Sequence, residues 1–109
     1  MAKVVNVKAS ELKIRGFKNF KEWNSQPNTL YIGRFNKFLG IPASKWGNPF
    51  KLTEYDRETC LKLYEEYVKN TPDLINNIDE LNGKELGCWC KPEGCHGDIL
   101  IKLLNENMK

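Results

Sequence analysis

The sequence has no long apolar run, no glycine-rich phosphate loop and no internal repeat or linker, and each lack removes a class of protein. Without an apolar stretch approaching twenty residues the chain offers no candidate membrane span, so no membrane partner is expected. Its start, Met1-Ala2-Lys3-Val4-Val5-Asn6, lacks the apolar segment of a signal peptide, and a cytoplasmic protein is expected. No Gly-Lys-Ser/Thr follows the required glycine spacing, which excludes a Walker loop. Disulfides are also unexpected: a reducing compartment keeps cysteines as thiols or metal ligands, and Cys88 and Cys90 stand too close along a strand to bridge comfortably.

What is present fits one domain, residues 1–109, with a single modest core, since 40% of the residues are hydrophobic and 28% charged. Charge is divided along the chain. Residues 1–51 carry ten Lys or Arg against two Glu, a balance of +8, and residues 52–109 carry seven against twelve acids, a balance of −5. A basic half favours an anionic partner, a nucleotide or a nucleic acid. The lysines at 3, 8, 13, 18, 21, 37, 45 and 51 are dispersed, as on a solvated surface, and do not form a DNA-tracking cluster.

Short β-branched or aromatic runs predict strands at Val4–Val7 and Leu30–Ile32, and Glu85–Cys90 reads as a third strand, too short and glycine-containing to follow from propensity alone. Between the first two, Ser10–Trp23 repeats Phe17, Phe20 and Trp23 at helical spacing, with Gly16 arguing against one continuous helix. Asp56 is placed to cap a helix over Arg57–Asn70, in which Leu61, Tyr64 and Val68 share a face. Thr71 and Pro72 open a second helix, 72–81, burying Leu74, Ile75, Ile78 and Leu81, and a last helix runs from Asp98 to Asn107. This order predicts a small α/β domain: a short, mainly parallel sheet flanked by helices, with a long loop, Gly33–Phe50, after the second strand. Ligands in such folds bind beyond the carboxyl ends of the strands, where that loop and the end of the third strand both emerge.

Three of the four cysteines and the only histidine fall within nine residues, Cys88-Trp89-Cys90-Lys91-Pro92-Glu93-Gly94-Cys95-His96. In a strand Cys88 and Cys90 project to one face and Trp89 to the other. Pro92 and Gly94 then turn the chain. Cys88, Cys90, Cys95 and His96 make a donor set suited to tetrahedral zinc, although the spacing departs from the commoner Cys-x2-Cys. The same residues support a metal-free reading: Cys95, His96 and Gly97 stand at a helix N-terminus, which attracts anions and thiolates, and Cys95, His96 and Asp98 could perform nucleophilic or acid–base chemistry. A purely structural reading is also open, with Asp98 a helix cap and the cysteines small buried groups; Cys60, on a helix face, is expected in the core.

The loop segment Ser44-Lys45-Trp46-Gly47-Asn48-Pro49-Phe50 offers a second group of candidates. Arg34 and Lys45 can hold phosphate or carboxylate, Trp46 or Phe50 can stack on a flat ring, and Asn48 can read a base edge or the loop's own backbone. Alternatively, Trp46 and Phe50 anchor the loop to the core, and the two roles can coexist.

Tyr31-Ile32-Gly33-Arg34, Ser44 to Phe50, Tyr64, Leu81 to Cys90 and Cys95-His96-Gly97-Asp98-Ile99-Leu100 resemble, in that order, the family catalogued as domain of unknown function 4326. The resemblance covers roughly residues 4–104 and implies a cytoplasmic protein of bacterial or phage origin, in the host cytoplasm where phage-encoded. It implies no activity. A phenylalanine-rich insert, Phe35–Pro42, separates Gly33-Arg34 from the Lys-Trp-Gly-Asn-Pro-Phe segment.

The sequence therefore favours a binder of an anionic, nucleotide-like small molecule, held by Arg34, Lys45, Trp46, Asn48, His96 and Gly97 between the Arg34–Phe50 loop and the Cys88–Asp98 loop. One alternative is a Cys/His-dependent enzyme acting on a nucleotide or modified nucleobase. Another is a zinc-stabilised nucleic-acid or protein adaptor.

Overall fold

A computed structural model describes residues 2–37, 39–89 and 95–107. Three short strands, β1 (Lys3–Asn6), β2 (Thr29–Tyr31) and β3 (Glu85–Cys88), form a parallel sheet in the order β1-β3-β2. The last strand in sequence lies in the middle, with Val4 beside Leu86 and Leu30 beside Leu86 from the other side. Parallel neighbours require crossovers, and helices supply them. Between β1 and β2 lie α1 (Ala9–Ile14) and α2 (Phe20–Asn24); between β2 and β3 lie α3 (Arg57–Lys69), α4 (Pro72–Ile75) and a 3-10 turn (Ile78–Leu81); α5 (His96–Asn107) follows β3.

Side-chain alternation along the strands divides the interior into two cores. Val4, Leu30, Ile32, Leu86 and Cys88 face Tyr64, Val68, Leu74, Ile78, Leu81, Leu100, Leu103 and Leu104. Val5, Val7, Tyr31 and Trp89 face Leu12, Phe17, Phe20 and Trp23 on the other side. The result is three layers, helices on both faces of a parallel sheet, the α/β class that the element order predicts. Gly87 makes the second core possible, because a Cβ there would stand 2.4 Å from the Trp23 ring and 2.8 Å from Val7. Trp23 is fully buried and its indole N–H donates to Glu85, 3.1 Å away. Arg15 (2.8 Å) and Lys3 (3.4 Å) reach the same carboxylate. Burial alone would push the Glu85 carboxyl up; the hydrogen bonds from Arg15 and Trp23 and the two nearby cations outweigh it and hold the group below the usual glutamate range.

Several predicted boundaries shift. Gly16, at φ +93°, ends the first helical stretch, so Ser10–Trp23 is two helices with a turn between them. The helix predicted over 72–81 is α4 and a separate 3-10 turn, with Asn76 and Asn77 at the break. Asn competes for backbone hydrogen bonds, and the Asn77 side chain donates to Asp73 O at 2.7 Å. Asp56 caps α3 as expected, accepting from Thr59 N at 2.7 Å, whereas Thr71 makes no side-chain cap and instead donates to Tyr67 O. The buried face of α3 is Cys60, Tyr64 and Val68, with Leu61 only half-buried. α5 begins two residues earlier than predicted, at His96. The strand predicted to Cys90 is described only to Cys88, and Cys90 lies outside the described residues. Among the described residues no helix is long and apolar enough to cross a membrane.

Candidate functional site

The carboxyl ends of β2 and β3 open into a cleft of about 460 Å³. One wall is the loop after β2, with Gly33, Arg34, Phe35, Asn48, Phe50 and Lys51. The opposite wall is the start of α3, with Arg57, Cys60 and Leu61, and the floor holds Cys88, Trp89, Cys95 and His96. Chain topology fixes this meeting: in a parallel sheet every strand end and every following helix start lie at one edge.

At the floor, Cys95 is the residue immediately before α5. Its sulfur accepts the Gly97 N–H at 3.5 Å, and Asp98 reaches back to accept the Cys95 N–H at 3.1 Å. This is a capping box with a cysteine as the cap. Asp98 therefore faces the Cys95 backbone and holds the helix start. The positive end of the α5 dipole and the Gly97 N–H both favour negative charge on the Cys95 sulfur. His96 Nε2 lies 2.7 Å from Ile32 O; an imidazole bonded to a carbonyl through Nε2–H leaves Nδ1 as the acceptor, and Nδ1 lies 3.6 Å from Cys95 Sγ. The Tyr64 ring packs edge-on against the imidazole at 5.1 Å. Burial, with the Tyr67 and Cys95 charges adding to it, drives the Tyr64 hydroxyl far above its ordinary range, and it stays a donor, bonded to Trp46 O. Cys88 Sγ and Cys95 Sγ are 2.9 Å apart, and both residues are about 1% exposed.

Gly97 takes no part in the wall of the cleft. Its α-carbon presses on the sheet, where a Cβ would stand 2.7 Å from Val4 Cγ2 and 3.0 Å from Ile32 Cδ1, so glycine lets α5 approach β1. Among the described residues no group of three or more His, Cys, Asp or Glu side chains is arranged to hold a metal ion. Cys90, the fourth ligand of the expected zinc set, lies outside those residues.

The loop candidates separate. Arg34 lines the cleft but braces the loop, donating through Nε to Asn48 O and through Nη2 to Phe50 O, each at 2.7 Å. Asn48 caps its own turn, its Oδ1 accepting from Phe50 N at 2.9 Å, while its residue still borders the cleft. Trp46 is an anchor: it is about 1% exposed, and its indole N–H donates to Glu80 at 2.8 Å. Lys45 pairs with Glu80 at 3.0 Å and lies over the Trp46 ring. Burial acts to raise the Glu80 carboxyl, but the Lys45 and Trp46 hydrogen bonds prevail and lower it. Lys45 and Trp46 border a different hollow, of about 570 Å³, between α2, β2 and residues 39–46. The geometry thus brings together Arg34, Asn48, Phe50, Cys88, Cys95 and His96, and leaves Lys45 and Trp46 elsewhere.

Two cationic residues of the cleft, Lys51 and Arg57, were not among the residues the sequence singled out. Their signal was available: a helix that follows a parallel strand must start at the carboxyl edge, so the first residue of α3 and the end of the loop before it belong beside the Cys/His cluster.

Comparison with known proteins adds ancestry. The model of the family described as domain of unknown function (DUF4326) matches residues 16–106. An uncharacterised protein, R718, of Acanthamoeba polyphaga mimivirus is 39% identical over 85 residues, covering 68% of this chain and 65% of that protein. An uncharacterised 12.4 kDa protein in the nrdA-td intergenic region of Enterobacteria phage T4 is 32% identical over 68 residues, covering 59% of this chain and 63% of that protein. The chain thus spans less than two thirds of either relative's length. No solved structure matches it.

Proposed function

The chain belongs to the family described as domain of unknown function DUF4326, and from that premise we propose that it binds an anionic, nucleotide-like small molecule in the cleft at the carboxyl edge of its sheet. The observation that carries this reading is the make-up of one cleft. Arg34, Lys51 and Arg57 line it together with the rings of Phe35, Phe50 and Trp89. Cations on the rim suit a phosphate, and flat apolar walls suit a heterocycle. The cations of Arg57 and Lys51 draw the phosphate to their side of the cleft, and the rings of Phe50 and Trp89 take the heterocycle. A volume of about 460 Å³ falls within the size range of small-molecule sites. We place this activity in the cytoplasm, that of the host where the protein is phage-encoded.

The test is calorimetric titration with a panel of nucleoside mono- and diphosphates, on protein stripped of retained ligand. Binding should weaken about tenfold or more when Lys51 and Arg57 are both replaced by Ala, a loss of roughly 1.4 kcal/mol. It should be unchanged in Lys45→Ala, which alters only the second hollow. Absence of binding across the panel, or equal affinity in the Lys51/Arg57 variant, refutes the reading.

One specific observation favours a second reading, an enzyme on nucleotides or modified nucleobases. Cys95 combines an amide donor to its sulfur with an imidazole whose Nδ1 faces it, the pairing that activates a thiol nucleophile. In that case Cys95→Ser abolishes turnover while ligand affinity persists.

A further inference from the structure

We propose that Cys88 and Cys95 form a reversible disulfide, making the floor of the cleft a redox-responsive site that reacts with a hydroperoxide and is restored by a small thiol. The inference stands on the placement of the two sulfurs and is independent of the nucleotide reading.

Cys88 ends the central strand and Cys95 stands immediately before α5, held there by the Asp98 cap, and the two sulfurs meet at 2.9 Å. Both are thiols. Their separation is well inside the usual contact of non-bonded sulfurs and outside the covalent length of about 2.05 Å, so little movement separates the two states. Cys60 also borders the cleft, yet its sulfur contacts Tyr55 O at 3.8 Å and is no part of this pair. Both sulfurs are almost closed to bulk solvent while facing the cleft, which favours small reagents, hydrogen peroxide as oxidant and a small thiol as reductant, over a bulky disulfide.

The chemistry balances in two steps. The Cys95 sulfur, whose negative charge the Gly97 N–H favours, attacks one peroxide oxygen; the O–O bond breaks, a sulfenic acid forms on Cys95 and hydroxide leaves. The Cys88 sulfur then attacks Cys95 Sγ; the S–S bond forms, the S–O bond breaks and a second hydroxide leaves. The two hydroxides take up the two thiol protons and become water. The sulfur pair gives up two electrons, and the peroxide accepts them. Two equivalents of a small thiol reverse the reaction by exchange.

The experiment treats the reduced full-length chain with equimolar hydrogen peroxide, blocks remaining thiols with iodoacetamide and maps peptides by mass spectrometry. The expected product links Cys88 to Cys95, lacks the mass of two hydrogens, carries alkylated Cys60 and Cys90, and reverts with dithiothreitol. In Cys88→Ser the sulfenic acid on Cys95 should persist and be trapped by dimedone. A link between Cys95 and Cys90, a sulfinic acid on Cys95 beside alkylated Cys88, or complete alkylation of all four cysteines overturns the proposal. The mapping of the unsubstituted chain decides the matter even where Cys88→Ser does not fold.

Discussion

Replacing Gly97 by alanine should destabilise the fold. An added Cβ stands 2.7 Å and 3.1 Å from the two methyls of Val4 and 3.0 Å from Ile32 Cδ1. Carbon atoms in contact prefer about 3.5–4.0 Å, so the new methyl overlaps Val4 by roughly an ångström. Val4 cannot swing aside easily, because it is β-branched and sits in β1 beside Leu86. Overpacking of this kind costs about 1–3 kcal/mol. Removing glycine from a helix returns about 0.5–1 kcal/mol. Taking the middle of each range, the expected net loss is about 1 kcal/mol, and for a domain of this size the Tm should fall by about 4–8 °C. Urea unfolding and a thermal melt of the same variant measure it. The companion Val4→Ala supplies the control: in its background Gly97→Ala should become neutral or stabilising, a coupling that a double-mutant cycle reads directly. Gly97→Ala at or above the stability of the unsubstituted chain, with additive effects in the cycle, would refute the packing role and return Gly97 to the ligand face, where the sequence pattern placed it.

Other outcomes follow from the same contacts. Arg34→Ala should loosen the loop, because two main-chain carbonyls lose their donor; hydrogen exchange across residues 34–50 should rise, with a stability loss of about 0.5–1.5 kcal/mol, since water can reach both carbonyls. Because folding lowers the Glu85 pKa, its contribution is present above the unfolded value of about 4.3 and is lost as the pH falls through the folded one. Stability measured from neutral to acid pH should accordingly decline less steeply in Glu85→Gln than in the unsubstituted chain. Asp98→Ala removes the acceptor for the Cys95 N–H, and chemical denaturation should report a loss of about 0.5–2 kcal/mol.

Local sequence pattern revealed the first two strands, the long loop and the capped start of α3, because each depends on neighbours a few residues away; the third strand, short and glycine-containing, was not legible from propensity alone. Asp56 and Thr59 meet within one turn, and Val4, Ile32 and Leu86 alternate with residues of the other core. The break at Asn76–Asn77 was hidden because Leu74, Ile78 and Leu81 keep a spacing that serves an α-helix and a 3-10 turn alike. The roles of Gly87, Gly97, Arg34 and Trp46 were hidden for a different reason. Each is decided by a partner distant along the chain, Trp23, Val4, the 48–50 carbonyls and Glu80, which composition does not reveal. The location of the candidate site was legible through topology; which side chains face it was legible only in part, since an arginine that braces a loop and one that meets a ligand look the same in sequence.

The three indoles of the chain report on three separate places. Trp23 donates to Glu85 beneath the sheet, Trp46 donates to Glu80 at the second hollow, and Trp89 donates to the Tyr31 hydroxyl at 2.8 Å beside the cleft. That hydroxyl in turn donates to Arg34 O, so Trp89 is tied to the loop that forms one wall. Of the three, only Trp89 borders the cleft. Chains keeping a single tryptophan, with phenylalanine at the other two positions, would turn this arrangement into built-in fluorescence probes. Occupancy or oxidation at the cleft floor should alter the emission of Trp89 while leaving that of Trp23 steady, and a global disturbance would move all three.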